Sequence, residues 1–180
     1  MKTDTVVLAP LGRTSRSDVW EPRPRVRPAY VPRGRALHLV ALENLMGGPL
    51  YGPVALRAAV EAYRAVSPVK PFDHVIVATN PGLALEAAAA WPAARLLVRG
   101  GRDGADLALV DVVSDVAWTA ARYDRIVVGS GDGIFVLAVA SLRAAGVPVE
   151  VVSRRQSLSM SLAAIASSVA VLPLGRETLA

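Results

Sequence analysis

The stretch Arg125–Gly146 decides the fold of this chain, and it reads RIVVGSGDGIFVLAVASLRAAG. Its first part, Arg125–Gly129, is a short β-branched run typical of a buried strand. A glycine-rich turn follows. Asp132–Ala145 then has the composition of a helix, which Gly146 is suited to end. A strand, a tight turn and a helix in this order predict one unit of an α/β fold.

The same alternation of strands and helices continues on both sides of this stretch. The predicted strands are Ala36–Leu42, His74–Thr79, Arg95–Arg99, Arg125–Gly129, Val147–Val152 and Val169–Leu172. The predicted helices are Pro53–Val66, Pro81–Trp91, Gly104–Arg122, Asp132–Ala145 and Ser157–Ala166. Because parallel strands need crossover helices, this alternation predicts a single doubly wound, Rossmannoid α/β domain with a parallel sheet over residues 36–180.

Composition excludes several kinds of site. The 180 residues are 53% hydrophobic and 19% charged, which predicts a folded core. The chain has no cysteine, so disulfides, thiolate zinc sites and cysteine nucleophiles are excluded. His38 and His74 are its two histidines, too few for a histidine-rich metal cage. The tryptophans Trp20, Trp91 and Trp118 are too scattered to predict a stacking platform, and we expect the last two to pack in the core or at helix ends.

Residues 1–35 differ from the rest of the chain in charge and in proline content. They hold eight basic and three acidic residues, whereas residues 36–180 are balanced. Prolines alternate with arginines here, which excludes a helix and predicts an extended, flexible arm. This arm is either a solvated tail or a cationic tether for the phosphate backbone of a nucleic acid.

Two stretches bear on localisation. Met1–Gly12 has only a short apolar run, which is not typical of a secretion signal. Ser157–Leu174 carries no charge but contains five serines and a proline, so we predict a buried helix and strand there and no membrane span. The sequence therefore predicts a cytoplasmic protein that does not bind membranes.

Acidic side chains follow three of the predicted strands. Glu43 comes after the first strand, Asp106 opens the helix after the third, and Asp132 lies in the turn after the fourth. In open parallel sheets ligands bind beyond the carboxyl ends of the strands, so we expect these carboxylates to share one rim. Carboxylates that converge in this way are stabilised by a divalent cation, and oxygen donors favour Mg²⁺ or Mn²⁺. Alternatively, Asp106 and Asp132 only complement the positive ends of their helices.

Other polar residues near the rim differ in their expected roles. Asp111 lies about 140° round the helix from Asp106, so we expect it on an exposed face that it shares with Asp115. Arg154 and Arg155 follow the fifth strand and are either phosphate contacts or solvated loop residues.

The turn at 129–133 also bears on two unrelated functions. Gly129 and Gly131 begin a dinucleotide-binding pattern, with Glu150 at a suitable distance for a ribose. Ile134 occupies the third glycine position of that pattern, however, which disfavours a dinucleotide site. A serine-nucleophile elbow around Ser130 is disfavoured as well, since Val128 stands where that motif needs glycine.

At these residues the chain resembles the NYN domain family, a branch of the PIN-like nucleases. The resemblance covers about residues 36–173. The family's Asp-x-x-Asn motif is matched by Ala41–Asn44, its helix-opening aspartate by Asp106, and its Ser-Gly-Asp-Gly turn by Ser130–Gly133. The segments Leu142–Val147 and Val152–Leu162 resemble the family's C-terminal half.

The resemblance implies a metal-dependent ribonuclease that hydrolyses RNA phosphodiester bonds, with single-stranded or structured RNA as substrate. It implies Mg²⁺ or Mn²⁺ held by Glu43, Asp106 and Asp132, which would also be the catalytic residues. Asn44, Ser130, Arg154 and Arg155 would bind the substrate. The sequence does not determine the oligomeric state and is compatible with a homo-oligomer.

Two positions depart from the family pattern. Ala41 stands where the first aspartate of the family belongs, and Ile134 stands where a second turn aspartate often lies. Glu43 replaces the missing acid only if the strand is still regular at residue 43, because alternate strand residues share a face. The alternatives are therefore a catalytically weak or inactive RNA-binding module of the same fold, or a small-molecule or partner-binding α/β protein.

Overall fold

The computed structural model describes residues 34–47 and 52–173. Apart from Gly34 and Arg35, the predicted N-terminal arm lies outside the described residues, and so do residues 174–180.

Six parallel strands form one sheet in the order β3-β2-β1-β4-β5-β6. Their bounds are β1 Ala36–Ala41, β2 His74–Thr79, β3 Arg95–Val98, β4 Arg125–Gly129, β5 Val149–Ser153 and β6 Ser168–Val171. The chain adds strands outward from β1 to β3 and then returns to the centre to begin β4 beside β1. The order therefore reverses between β1 and β4, which is the position where a crevice opens in doubly wound sheets.

Seven α-helices cover the sheet within the described residues. They are α1 Leu42–Met46, α2 Pro53–Val66, α3 Ala84–Ala90, α4 Gly104–Val112, α5 Val116–Ala120, α6 Val136–Ala144 and α7 Met160–Ile165. Short 3₁₀ turns precede three of them, at Pro81–Leu83, Gly133–Phe135 and Arg155–Ser157. The predicted α/β class and parallel sheet are confirmed.

Hydrophobic side chains pack on both faces of the sheet. Leu39 of β1 belongs to a core with Leu109 of α4 and Val139 of α6. Its neighbour Val40 belongs to a second core with Tyr63 of α2. Since successive strand residues point to opposite faces, the buried central strand needs helices on both sides.

Two predicted elements have different bounds in the structure. The first strand ends at Ala41, and Leu42 already begins α1. The predicted helix 104–122 is two helices, because the carboxylate of Asp115 accepts a hydrogen bond from the backbone N–H of Trp118 at 2.8 Å and starts α5. Ser114 ends the preceding turn, with its hydroxyl donating to the carbonyl of Asp111 at 2.8 Å.

The uncharged stretch Ser157–Leu174 divides into α7 and β6 over its described residues, as predicted. The predicted burial is wrong, because β6 lies at the edge of the sheet with Val169 and Val171 exposed, and in α7 only Leu162 is buried. None of the helices in residues 34–47 and 52–173 combines the length and the hydrophobicity that crossing a bilayer requires.

Candidate functional site

Three carboxylates lie at the carboxyl ends of the central strands, and we call Glu43, Asp106 and Asp132 the carboxylate rim. Glu43 lies in α1, Asp106 in the first turn of α4, and Asp132 just after β4. Burial, as the main cause, and the negative charges of Asp132 and Glu43 together raise the pKa of Asp106 to about 6. A hydrogen bond with Ser130 acts in the opposite direction. The three groups are therefore close enough to repel one another electrostatically.

Glu43 is held on one side by the end of β2. Its Oε1 accepts hydrogen bonds from the backbone N–H of Asn80 at 2.7 Å, from Asn80 Nδ2 at 2.8 Å and from the hydroxyl of Thr79 at 3.3 Å. Its Oε2 is buried and has no hydrogen-bond partner among the described residues. Half of this carboxylate is thus fixed by the protein, and the other half has no protein donor there.

Asn44 faces the end of β4, whereas Glu43 faces the end of β2, because adjacent residues of a helix point about 100° apart. Its Oδ1 accepts a hydrogen bond from the backbone N–H of Gly131 at 2.9 Å. The short helix α1 therefore connects the ends of β2 and β4, with Glu43 contacting the first and Asn44 the second. Because the strand ends at Ala41, Glu43 does not occupy the strand position that regular alternation would give it. Ala41 itself is 1% exposed and packs in the core.

The turn after β4 connects the carboxylates Asp106 and Asp132 through Ser130. The Ser130 hydroxyl lies 3.4 Å from Asp106 Oδ1 and accepts a hydrogen bond from the backbone N–H of Asp132 at 3.2 Å. Asp132 Oδ1 accepts from the backbone N–H of Ile134 at 2.9 Å, so it caps the 3₁₀ turn before α6. Capping occupies Oδ1 and leaves Oδ2 available for another partner.

Gly131 allows the turn after β4 to approach the loop after β5. A Cβ at this position would lie 2.2 Å from the carbonyl oxygen of Ser157 and 2.3 Å from the hydroxyl of Ser153. The Gly131 carbonyl accepts a hydrogen bond from the backbone N–H of Ser159 at 2.8 Å. A side chain here would push the two loops apart.

The two predicted substrate arginines have different surroundings. Arg154 is 8% exposed, and its Nη1 donates to the carbonyl of Met46 at the end of α1, at 2.7 Å. It lies against Gly47, whose φ of 84° suits the end of a helix. Arg155 is exposed beside the rim. Arg154 thus stabilises the helix that carries Glu43 and Asn44, whereas Arg155 is accessible to a ligand.

The remaining acids of α4 and α5 lie outside the rim, as predicted. Asp111 is exposed and forms an ion pair with Arg99 at 2.9 Å, and Asp115 caps α5.

The donor set can be compared with the needs of a metal ion. Within the described part of the chain, no three His, Cys, Asp or Glu side chains are grouped closely enough to form a metal site by themselves. Mg²⁺ is commonly held by one or two carboxylates while it keeps several waters. Asp106, Asp132 and the unpartnered Oε2 of Glu43 are oxygen donors of the required kind. The residues present therefore fit a hydrated divalent ion better than a fully dehydrated one.

Sequence reasoning missed Thr79 and Asn80, which hold Glu43. Asn80 also caps the 3₁₀ turn Pro81–Leu83, since its Oδ1 accepts a hydrogen bond from the backbone N–H of Gly82 at 2.7 Å. The pattern that identified Glu43 and Asp132, polar residues directly after a strand, applies equally to Asn80, whereas Thr79 is the last residue of β2 and has no such signal.

Comparisons with known proteins agree with this architecture. The family model of the NYN domain matches residues 43–172. A search of curated proteins finds no match. The crystal structure of a protein of unknown function from Vibrio parahaemolyticus is similar, with a TM-score of 0.55 and 16% sequence identity over 81% of this chain and 96% of that chain. At this identity the similarity shows the fold alone.

Proposed function

The chain belongs to the NYN domain family, within the PIN-like nuclease superfamily, and we propose that it is a ribonuclease that hydrolyses RNA phosphodiester bonds with Mg²⁺ or Mn²⁺. The observation that carries the proposal is the convergence of carboxylates from separate elements: together with burial, which is the main cause, the charges of Asp132 and Glu43 raise the pKa of Asp106 to about 6. Mutual repulsion of this kind destabilises the fold, so its presence favours a bound cation.

In this proposal Asp106, Asp132 and Glu43 Oε2 would hold a hydrated ion, in part through the waters that it keeps. A divalent ion supplies an activated water and stabilises the charge on the scissile phosphate. Ser130 connects Asp106 and Asp132, because its hydroxyl lies 3.4 Å from Asp106 Oδ1 and 3.2 Å from the backbone nitrogen of Asp132. Thr79 and Asn80 fix the orientation of Glu43, so that Oε2 is the oxygen left for the ion.

The substrate would be bound by groups around the rim. Arg155 is exposed and is assigned to a flanking phosphate. The Asn44 amide nitrogen is assigned to the RNA, while its oxygen holds Gly131. Arg154 acts through α1, since its guanidinium contacts Met46 rather than solvent.

Cleavage of a mixed-sequence single-stranded RNA tests the proposal. We expect cleavage in Mg²⁺ or Mn²⁺ that is lost in EDTA, in Asp106→Asn and in Asp132→Asn. Glu61→Gln is the control, because Glu61 is an exposed carboxylate on α2, which packs on the face of the sheet opposite α4. Cleavage that survives both rim substitutions would contradict the proposal.

A specific observation favours a second candidate, a catalytically weak or inactive RNA-binding module. The position of the family's first aspartate is Ala41, which is buried in the core, and one oxygen of Glu43 is committed to Asn80. RNA binding that persists in both rim variants, without turnover in Mn²⁺, would identify this candidate.

The proposal includes a cytoplasmic location and a role for residues 1–35. Arginines in that segment would contact the RNA backbone, and neutralising three of them should make RNA affinity less dependent on salt. For single strands the logarithmic slope falls by about 0.7 per lost phosphate contact. The triple variant Arg23→Gln, Arg25→Gln, Arg27→Gln in the full chain tests this role, and an unchanged slope would refute it.

A further inference from the structure

A groove of about 850 Å³ runs along the outer strand of the sheet. On the strand side it is lined by Arg95 and Leu97, which share one face of β3, and by Arg99, which directly follows the strand. Its other wall comes from α4, α5 and the segment that follows, and it includes Trp118 and Arg122. We call this the edge groove. None of the carboxylate-rim residues lines it.

The charge of the edge groove is positive. Arg35, Arg95, Arg99 and Arg122 line it, with Asp73 and Asp111 as the acids. Asp73 accepts hydrogen bonds from backbone N–H groups of Ala36 and Lys70, and Asp111 pairs with Arg99. Among the described residues, Arg95 and Arg122 form no ion pair with an acidic side chain. Two guanidinium groups are therefore available to an anionic ligand.

Aromatic side chains lie beside these arginines. Trp118 is 44% exposed, so of the two places expected for it, the core and a helix end, the core is wrong, whereas Trp91 is buried as expected. The Arg122 guanidinium stacks on the Trp118 ring, with Cζ 4.0 Å from the ring centre. The ring centres of Trp118 and Tyr123 are 6.4 Å apart. An exposed indole next to free guanidinium groups is the arrangement on which nucleobases stack while phosphates are neutralised.

The groove ends near the proposed cleavage site. Arg99 directly follows β3 at the carboxyl edge of the sheet, and Gly104, which opens the helix of Asp106, packs closely against the Arg99 carbonyl. A strand of RNA that leaves the rim over the start of α4 would therefore reach Arg99 first and Arg95 after it.

We infer that the edge groove binds single-stranded RNA next to the carboxylate rim, with a base on Trp118 and phosphates on Arg95 and Arg122. This inference rests on the proposed function and adds a second contact surface to it. Charge complementarity selects the occupant, because four arginines and two acids line the groove and a polyanion such as RNA is attracted to it.

RNA binding measured in EDTA tests the inference without turnover. Fluorescence anisotropy of a labelled mixed-sequence oligonucleotide, titrated at several salt concentrations, gives Kd and its salt slope. Arg95→Ala and Arg122→Ala should each lower the slope by about 0.7. Trp118→Ala should raise Kd about 5-fold or more, and Trp118→Phe should restore most of the affinity because it keeps a stacking ring. Arg57→Ala is the matched control, since Arg57 is exposed on α2, which packs on the other face of the sheet.

The outcomes separate this inference from the ribonuclease proposal. RNA binding that depends on the groove without any cleavage refutes the ribonuclease and supports the groove. If the protein cleaves RNA but the groove variants keep the salt slope and the Kd of the original chain, the groove inference is overturned and the ribonuclease proposal stands. Self-association by light scattering that Trp118→Ala abolishes, with RNA binding unchanged, would assign the groove to a second copy of the chain and overturn the inference.

Discussion

The carboxylate rim and the edge groove lie on either side of α4 and have opposite chemistry. The rim sits over the central strands, and its carboxylates are held by backbone and side-chain donors from β2 and β4. The groove lies on the edge strand, and its arginines and Trp118 are largely exposed. One helix serves both surfaces because Asp106 and Asp111 are far apart around its axis.

The difference between the two surfaces reflects what each must do. Like charges stay together only where hydrogen bonds fix them, so the rim needs the rigid ends of buried strands. A surface that binds a polyanion through charge and stacking needs accessibility more than exact geometry. We therefore expect rim substitutions to change chemistry, and groove substitutions to change affinity.

The largest effect should separate turnover from binding. Asp132→Asn should lower the cleavage rate about 100-fold or more, because an ion-holding carboxylate is lost, while RNA affinity in EDTA is kept. Arg95→Ala should do the reverse, raising KM with kcat nearly unchanged. Steady-state kinetics over a range of RNA concentrations gives kcat and KM for both variants. Equal losses of kcat in the two variants would remove the proposed division between the surfaces.

The next effect concerns the packing of the rim. Gly131→Ala should lower the free energy of unfolding by about 3 kcal/mol, since its methyl group would meet the Ser157 carbonyl at 2.2 Å. Gly133→Ala is the control, because a Cβ there would meet only the Ser159 hydroxyl at 3.4 Å. Urea denaturation measures both, and equal stability of the two variants would contradict the prediction.

A smaller effect should distinguish the two adjacent arginines. Arg154→Ala should cost about 2 kcal/mol of unfolding free energy, because it removes buried packing and leaves the Met46 carbonyl without its donor. Arg155→Ala should stay within about 0.5 kcal/mol of the original protein but weaken RNA binding. Thermal unfolding measures the stability of both variants, and fluorescence anisotropy measures their RNA affinity. If Arg155→Ala lost stability and Arg154→Ala did not, the roles assigned to the two arginines would be reversed.

The smallest effect is the pH dependence that Asp106 causes. Its pKa is raised to about 6 in the folded chain, so the folded state binds more protons than the unfolded state between roughly pH 4 and 6. Stability should fall as pH rises through that window and then level off. Asp106→Asn should be about 1 kcal/mol more stable than the original chain at pH 7.5, after allowance for partial exposure, and equal to it near pH 4. Denaturation curves in a metal-free buffer measure the difference, and a gap that persists at pH 4 would exclude this cause.

The sequence predicted the regular elements well where one local pattern dominates. Pro53–Val66, His74–Thr79 and Arg125–Gly129 have the predicted bounds. The helix at 104–122 was wrong in the middle because Asp115 satisfies the backbone N–H of Trp118, a capping contact that competes with a continuous helix. The first strand was one residue too long, and this error also displaced Glu43 from its expected orientation.

The order of strands and helices, and membership of the NYN domain family, follow from the linear pattern alone, because hydrophobic period and turn residues act over a few neighbouring positions. Which rim oxygens remain available was decided only by the tertiary structure. Glu43 meets Asn80, and Arg154 meets Met46, across separations of 37 and 108 residues, and only the strand order brings such pairs into contact. The exposure of Trp118 was decided in the same way, because it depends on how α5 sits beside β3 rather than on the residues next to it in the chain.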